Sequence, residues 1–234
     1  MEERTALLLG EEGVARLRAA HVILFGLGGV GGHVAEALAR AGVGRLTLVD
    51  ADTVAESNLN RQILALRENL GRPKAQVAAE RVRAINPACR AEPVEMFYLP
   101  ENAGRLPFDG ANYVVDAVDT VTAKLEIIAR AQAAGAPVIS CMGTGNRLHP
   151  ELLRLGMLSK TSGCHLARVM RRECRARGLA DLPVVYSEEP ALTPRPSDAD
   201  PAPGRRAVVG SVSFVPGAAG LILAGAVVRA IAGV

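Results

Sequence analysis

Short apolar runs alternate with amphipathic segments along most of the chain. Four runs are typical of buried parallel strands, because they are short and rich in β-branched residues: HVILFG (21–26), RLTLVD (45–50), NYVVDAVD (112–119) and APVISCMGTGN (136–146). Helical patterns lie between them: GGHVAEALARAG (31–42), with Val34, Leu38 and Ala41 on one face; KAQVAAERVRAINP (74–87), which Pro87 ends; and TVTAKLEIIARA (120–131). This alternation predicts an α/β fold with a doubly wound, Rossmann-like, mostly parallel sheet and helices on both faces.

The last third of the chain departs from this alternation. A basic helix near residues 164–177 is flanked by HPELLRLGMLSKT (149–161) and PVVYSEEP (183–190), which we expect beside the sheet. PALTPRPSDADPAPGRR (190–206) contains five prolines, which is typical of an exposed loop. In GAAGLILAGAVVRAIAGV (217–234) the uncharged run is shorter than the roughly 20 residues that a membrane span needs. We therefore expect a packed terminal helix rather than a membrane anchor.

Composition and charge narrow the class of protein. A chain of 234 residues that is 49% hydrophobic and 22% charged is typical of a soluble globular protein with a sizeable core. The four cysteines form no C-x-x-C pair and charged residues begin at Glu2, so we expect a reducing, cytoplasmic setting. Residues 1–146 hold 15 basic and 17 acidic groups, whereas residues 147–234 hold 12 and 7. The basic part suits a polyanionic partner, and a merely solvated surface is the alternative.

A glycine-rich turn follows the first strand. In GLGGVG (26–31), Gly26, Gly28 and Gly31 fit G-x-G-x-x-G, a turn that lets backbone amides approach a phosphate at a helix N-terminus. Asp50 ends the second strand, 22 residues after Gly28, where its carboxylate can accept hydrogen bonds from ribose hydroxyls. Dehydrogenases, methyltransferases and adenylating enzymes share such features, so NAD and ATP both remain open here.

Polar residues after the second strand favour a triphosphate. DADTVAESNLNRQ (50–62) ends in Arg61 and Gln62, and Lys74 follows thirteen residues after Arg61. A hydride carrier needs no cations at this point, whereas a rigid guanidinium and a mobile ammonium together can neutralise β- and γ-phosphates as pyrophosphate leaves. Surface charge at the start of a helix is the alternative interpretation.

A second acidic signal comes from VVDAVDT (114–120). Asp116 lies inside the predicted strand and Asp119 at its end. A carboxylate at that edge can hold a magnesium ion against phosphates. Asp119 or Thr120 can equally cap the helix that follows, and the two roles are compatible.

The assembled motifs resemble a known family. GLGGVGG, EALARAGVGRLTLVDADTV, SNLNRQ, GRPK, INP and VVDAVDT resemble the ThiF/MoeB adenylating superfamily, relatives of ubiquitin-activating enzymes, over residues 4 to about 146. SCMGTGNRLHPELLRLGMLSKT, LARVMRRE, VVYSEEP and GSVSFVPGAAGLILAGAVVR resemble its tRNA threonylcarbamoyladenosine dehydratase branch over nearly the whole chain. His149-Pro150 and Cys164-His165 stand where that branch usually has Asp-Pro. The C-x-x-C pairs of sulfur-carrier activators are absent, which favours the tRNA branch and argues against structural zinc.

The resemblance implies a nucleotide site and a dimer. In the superfamily the glycine turn contacts the nucleotide, the residue matching Asp50 contacts the ribose, and Asp119 would bind magnesium or the adenylate. Arg4 matches an arginine that reaches across a homodimer to the partner's ATP. The expected catalytic residues are Arg61, Lys74, Asp119 and Arg4. The expected nucleotide-binding residues are Gly26, Gly28, Gly29, Gly31, Asp50, Asp52, Ser57, Asn58, Asn60, Arg61, Gln62, Lys74, Asp119 and Thr120.

The implied reaction is the ATP-dependent cyclisation of threonylcarbamoyladenosine in tRNA through an acyl adenylate, with ATP and magnesium as cofactors. KTSGCHLARVMRRECRARG (160–178) offers basic side chains for tRNA phosphates, with a solvated helix face as the alternative. The expected tRNA contacts are Lys160, Arg168, Arg171, Arg172 and Arg175. No side-chain nucleophile is required, although Cys164 is the most plausible functional thiol, and the four histidines show no metal spacing.

Three other functions stay open at this stage: an adenylating activator of a ubiquitin-like sulfur-carrier protein, an NAD-dependent oxidoreductase and a non-catalytic nucleotide-sensing module. The expected partners are modified tRNA and a second copy of the chain, and a sulfur-relay or cysteine desulfurase protein is compatible with the resemblance. We expect an ATP-binding adenylation core over 1–146 and a substrate-side extension over 147–234, packed together as one ThiF-like domain.

Overall fold

A seven-stranded sheet forms the centre of the computed structural model, which describes residues 2–195 and 209–234. The strands are β1 His21–Phe25, β2 Arg45–Val49, β3 Arg90–Val94, β4 Tyr113–Asp116, β5 Val138–Cys141, β6 Leu153–Met157 and β7 Pro183–Ser187. Their order across the sheet is β3-β2-β1-β4-β5-β7-β6. Every neighbouring pair is parallel except β6 and β7. The predicted doubly wound, mostly parallel sheet is confirmed.

Helices cover both faces of this sheet. They are α1 Glu3–Ala19, α2 Gly31–Arg40, α3 Lys74–Ile85, α4 Val121–Ala133, α5 His165–Ala176 and α6 Phe214–Ala232. One hydrophobic core joins the sheet to α2, α3 and α6, and a second joins its other face to α4 and α5. The helix periodicity of the sequence therefore located α2, α3, α4 and α5 to within a few residues.

Two elements lie outside the predicted pattern. Helix α1 precedes the first predicted strand and is interrupted at Gly10, where the backbone is not helical. Strand β3 pairs with β2 at the edge of the sheet and contains Pro93. Because proline lacks an N–H, it is tolerated in an edge strand, although it lowers the strand signal of the sequence.

The carboxyl-terminal third extends the sheet instead of lying beside it. Strand β7 pairs in parallel with β5, and β6 pairs with β7 as the antiparallel edge strand. Residues 190–195 form neither helix nor strand, and residues 196–208 of the predicted proline-rich loop lie outside the described residues.

Helix α6 packs against α1 and α2. By length and composition it could cross a membrane, with a mean hydropathy of 1.9, but 44% of that apolar window is buried. Val215, Ala219, Leu223 and Val227 are fully buried on one side of the helix. The terminal helix therefore packs as the sequence predicts.

Candidate active site

A pocket of about 520 Å³ opens at the carboxyl ends of β1, β2, β4 and β5. Strand β1 pairs with both β2 and β4, so the chain reverses its winding direction at this crevice, which is where open α/β sheets bind ligands. Most of the expected nucleotide-binding residues line it: Gly26, Gly28, Gly29, Asp50, Asp52, Asn58, Arg61, Gln62, Lys74, Asp119 and Thr120.

The glycines of the turn have two different functions: one allows close packing and another leaves space in the pocket. A Cβ on Gly31 would lie 1.7 Å from the carbonyl oxygen of Gly26, so Gly31 lets α2 approach the strand and does not itself line the pocket. Among the residues described, the atom nearest to a Cβ on Gly28 would be Gln62 Nε2, at 3.7 Å. The open space above Gly28 therefore belongs to the pocket, where a phosphate could approach the backbone.

Asp50 joins the glycine turn to the end of β2. Its Oδ2 accepts a hydrogen bond from Leu27 N at 2.6 Å, and its Oδ1 accepts one from Asp52 N at 2.8 Å. Burial raises the pKa of the Asp50 carboxyl above its usual range, and these backbone donors oppose that rise. The carboxylate is thus fixed at the pocket wall.

Lys74 begins α3 and its side chain is buried at the pocket. Its Nζ donates to Asp52 Oδ2 at 2.9 Å, and its backbone N donates to Asp52 O at 2.9 Å. A buried ammonium needs such a partner, because removing an unpaired charge from water is costly. The exposed Asp52 carboxylate therefore holds a cation ready at the site.

Arg61 is held by its own loop. Its Nη1 donates to Ser57 O at 2.8 Å and to Asn60 Oδ1 at 2.9 Å. The Nδ2 of Asn60 donates in turn to Ser211 O at 3.1 Å. Ser57 and Asn60 do not line the pocket, so the structure places them as supports of Arg61.

Asn58 and Gln62 flank Arg61 and are both buried. Asn58 Oδ1 accepts a hydrogen bond from Ala55 N at 3.1 Å, so it also shapes the loop. Gln62 Oε1 is buried and has no hydrogen-bond partner among the residues that the structure describes. An unpaired buried acceptor at a pocket wall is suited to a donor on a ligand.

Asp119 is exposed at the pocket, just before α4. Thr120 occupies the N-cap position of α4 but makes no side-chain capping bond, and within the described part of the chain its hydroxyl donates to Asp119 Oδ1 at 3.4 Å. No group of three or more acidic, His or Cys side chains suited to a metal occurs among the described residues. Magnesium is commonly held by one or two carboxylates together with substrate phosphates, so a single carboxylate fits that ion.

Arg4 stands apart from the other expected catalytic residues. It is exposed on the first turn of α1 and does not line the pocket of its own chain. Leu7 and Leu8, on the same part of α1, are each 85% exposed. This end of the helix is an apolar surface next to a cation.

Helix α5 presents part of the expected basic surface. Arg168, Arg172 and Arg175 are exposed at helical spacing, and Lys160 is exposed nearby. Arg171 differs, because its Nη1 donates to Thr161 O at 2.7 Å and also bonds the Thr161 hydroxyl. Arg171 therefore anchors α5 to the preceding segment and is a poor choice for a free phosphate contact.

The cysteines are buried. Burial raises the pKa of the Cys141 thiol to about 12 and that of Cys89 to about 11, so neither is a thiolate near neutral pH. Cys164, which the sequence indicates as the most plausible functional thiol although none is required, is buried at the start of α5. Exposed His149 pairs with Glu151 at 2.8 Å, and His165 is exposed.

Sequence reasoning missed two walls of the pocket. Met96, Phe97 and Tyr98 form one wall after β3, and residues 142–145 after β5 form the other. Asn146 closes the second wall in a left-handed conformation, with φ of 56°. It exchanges two hydrogen bonds with Gly210, and its carbonyl accepts one from Leu192. The sequence indicates neither wall as part of a nucleotide pocket, although residues 142–145 belong to one of the motifs of the resemblance, because strand order brings the two walls together.

Comparisons with known proteins agree with the geometry. The family model for the ThiF family matches residues 2–234. A Bacillus subtilis protein named tRNA threonylcarbamoyladenosine dehydratase is 37% identical over 96% of this chain and 92% of its own length. An Escherichia coli protein of the same name is 38% identical over 82% of this chain and 74% of its own. The crystal structure of an E. coli tRNA N6-threonylcarbamoyladenosine dehydratase in complex with ATP superposes with a TM-score of 0.86 at 34% identity, covering 97% of this chain and 92% of that one.

Proposed function

The chain belongs to the ThiF family, and from that membership and the pocket we propose that it uses ATP to dehydrate threonylcarbamoyladenosine in tRNA. The observation that carries the proposal is the buried Lys74 ammonium at the switch-point pocket, which Arg61 and Asp119 also line. Relatives that carry the dehydratase name match the carboxyl-terminal third as well as the nucleotide core, which favours this function over activation of a sulfur carrier.

In the first step a carboxylate oxygen of the threonyl group attacks the α-phosphorus of ATP. The bond between the α-phosphorus and the bridging oxygen breaks, and pyrophosphate leaves with its electron pair. Arg61 and Lys74 compensate the negative charge that develops on the leaving group. Magnesium, held by Asp119 and the phosphates, would supply further charge neutralisation.

In the second step the carbamoyl group of the same modified nucleotide attacks the activated acyl carbon. A ring closes, AMP leaves with the former carboxylate oxygen, and the carbamoyl group releases a proton. Both nucleophiles belong to the substrate, which is consistent with buried, protonated thiols at Cys141 and Cys89. Catalysis then rests on holding the two reacting groups together and on electrostatic stabilisation.

The partners of the reaction are proposed from surface and charge. tRNA would lie along exposed Lys160, Arg168, Arg172 and Arg175, with Arg171 in a supporting role. A homodimer would cover the exposed leucines of α1 and bring Arg4 to the partner's nucleotide. We place the protein in the cytoplasm, with residues 147–234 as the substrate side of one domain that includes the core over 1–146. A sulfur-relay or cysteine desulfurase protein is a further proposed partner.

The test is AMP formation by the purified protein with ATP, magnesium and tRNA that carries threonylcarbamoyladenosine. We expect AMP and pyrophosphate to form in amounts equal to the cyclised nucleoside, measured by chromatography after tRNA digestion. Unmodified tRNA serves as the control and should give no AMP. If AMP forms only with a ubiquitin-like carrier protein, or if NAD is reduced instead, the proposed function is wrong.

A further inference from the structure

A buried ion pair lies next to the pocket, whose lining includes Ala117, Ala123 and Cys141 but not the two charged residues themselves. Lys124 on α4 and Asp116 at the end of β4 are both fully buried, with 2.9 Å between Nζ and Oδ2. Lys124 also donates to Ser140 Oγ at 3.1 Å and to Cys141 O at 2.7 Å. All three ammonium protons are therefore used, and none is directed to a ligand.

The acidic partner is saturated in the same way. Asp116 Oδ2 accepts from Lys124 and from the Ser140 hydroxyl at 2.5 Å, and Oδ1 accepts from Val118 N at 3.2 Å. A fully satisfied buried network fixes its members rigidly. Burying two charges contributes little net stability, because desolvation offsets their attraction. Such a pair is therefore better explained by the geometry that it imposes.

The geometry in question is the separation of two strand ends. Strands β4 and β5 pair in register up to Asp116 and Ser140 and then diverge. The segment after β4 carries Asp119, and the segment after β5 forms the pocket wall at residues 142–145. Lys124 bonds to both strands, and its backbone N bonds to Thr120 O at 3.0 Å.

We propose that Lys124 is a positioning residue that sets Asp119 relative to the wall at 142–145, and so aligns the substrate carboxylate with the α-phosphate. This inference rests on the proposed function. The glycine turn follows β1, Asp50 follows β2 and Lys74 begins α3, so none of them belongs to the network. Loss of Lys124 should therefore lower the turnover number much more than it weakens ATP binding.

The experiment compares Lys124→Met with the double variant Lys124→Met/Asp116→Asn. The single variant leaves a buried carboxylate unpaired and should be less stable. The double variant removes both charges, so its melting temperature should recover most of the loss. Its turnover number for tRNA-dependent AMP formation should stay about 100-fold below wild type, since small misplacements of reacting groups cost that much. Its dissociation constant for ATP, measured without magnesium so that Asp119 does not contribute, should remain at the wild-type value.

The matched control is Ile128→Ala, one helical turn further along α4. Ile128 is fully buried in the same hydrophobic core, but its apolar side chain takes no part in the hydrogen bonds between Lys124 and the strand ends. It should lose stability and keep the wild-type turnover number at temperatures well below its melting point. If the double variant regains wild-type turnover, or if Ile128→Ala loses as much turnover as Lys124→Met, the network is only structural. Absence of AMP formation by the wild-type protein would instead overturn the proposed function.

Discussion

Two glycines of the same turn should respond in opposite ways to a single added methyl group. In Gly31→Ala the new carbon would lie 1.7 Å from the Gly26 carbonyl oxygen. A comfortable carbon-to-oxygen contact is about 3.3 Å, so α2 or the turn must move by about 1.6 Å. Both belong to the rigid core around β1. Overpacking of this kind costs about 1–3 kcal/mol, and the size of the shift places Gly31→Ala at the upper end.

Gly28→Ala should leave the fold intact. Its new carbon would meet nothing nearer than Gln62 Nε2 at 3.7 Å, and its φ is not in the left-handed region. Restriction of the unfolded chain by alanine stabilises by about 0.4–1 kcal/mol at such positions. The methyl group would, however, fill the space through which a phosphate reaches the backbone, so ATP binding should fail.

The assay is thermal unfolding without nucleotide, together with calorimetric titration with ATP. For a chain of this size about 1 kcal/mol changes the melting temperature by about 2–4 °C, so Gly31→Ala should melt about 6–12 °C below wild type. Gly28→Ala should melt at or slightly above the wild-type temperature and show no ATP heat. A Gly28→Ala protein that binds ATP normally, or a Gly31→Ala protein with unchanged melting temperature, would refute the reasoning.

Three further predictions concern tRNA, the dimer and pH. Replacing Arg168 and Arg175 together by alanine should weaken tRNA binding and leave the ATP affinity unchanged. The slope of the logarithm of the tRNA binding constant against the logarithm of the salt concentration should become smaller by about 2, and an unaltered slope would contradict tRNA binding at this surface. Arg4→Ala and Lys74→Ala should each be inactive alone. In the proposed dimer, a mixture of one protomer of each variant should regain about half the turnover, because one of its two sites has both Lys74 and the partner's Arg4 intact. If no activity returns, Arg4 does not act across a dimer. Burial lowers the pKa of His21 below 6.5, so the unfolded chain takes up the proton first and stability should fall as pH drops below about 6.5. Urea titrations should show that His21→Gln loses less free energy of unfolding over that pH range than the wild type does. An identical loss in the two proteins would show that His21 is not the cause.

Residues that act through the local backbone could be predicted from sequence. The glycine turn, Asp50 and Lys74 all follow directly from a strand or begin a helix, and parallel strands bring such points to one edge. Their neighbours in sequence were therefore enough to place them in one pocket. Arg171 shows the limit of this reasoning, since helical spacing gave its face but not its bond to Thr161.

Features that depend on long-range pairing could not be predicted in this way. Lys124 reads as an ordinary helix residue, and only the adjacency of β4 and β5 shows that it meets Asp116 and Cys141. Strand β3 is not predicted, because Pro93 is unfavourable in most strands. Proline is tolerated here because β3 is an edge strand, where a missing N–H breaks no pairing. The helix α1 has a broken periodicity at Gly10 and was missed for that reason.

Because Lys74 is already paired with Asp52, the affinity of the proposed site for ATP depends on more than the contacts that ATP makes. The ammonium already has a counter-ion in the free chain, so a triphosphate that binds Lys74 as proposed must compete with Asp52 for it. The affinity for ATP would then depend on how much more strongly Lys74 binds the phosphates than the Asp52 carboxylate. The Asp52 side chain is 66% exposed, so its carboxylate would stay solvated after such an exchange, whereas the Lys74 side chain is already buried at the pocket and would not have to leave solvent.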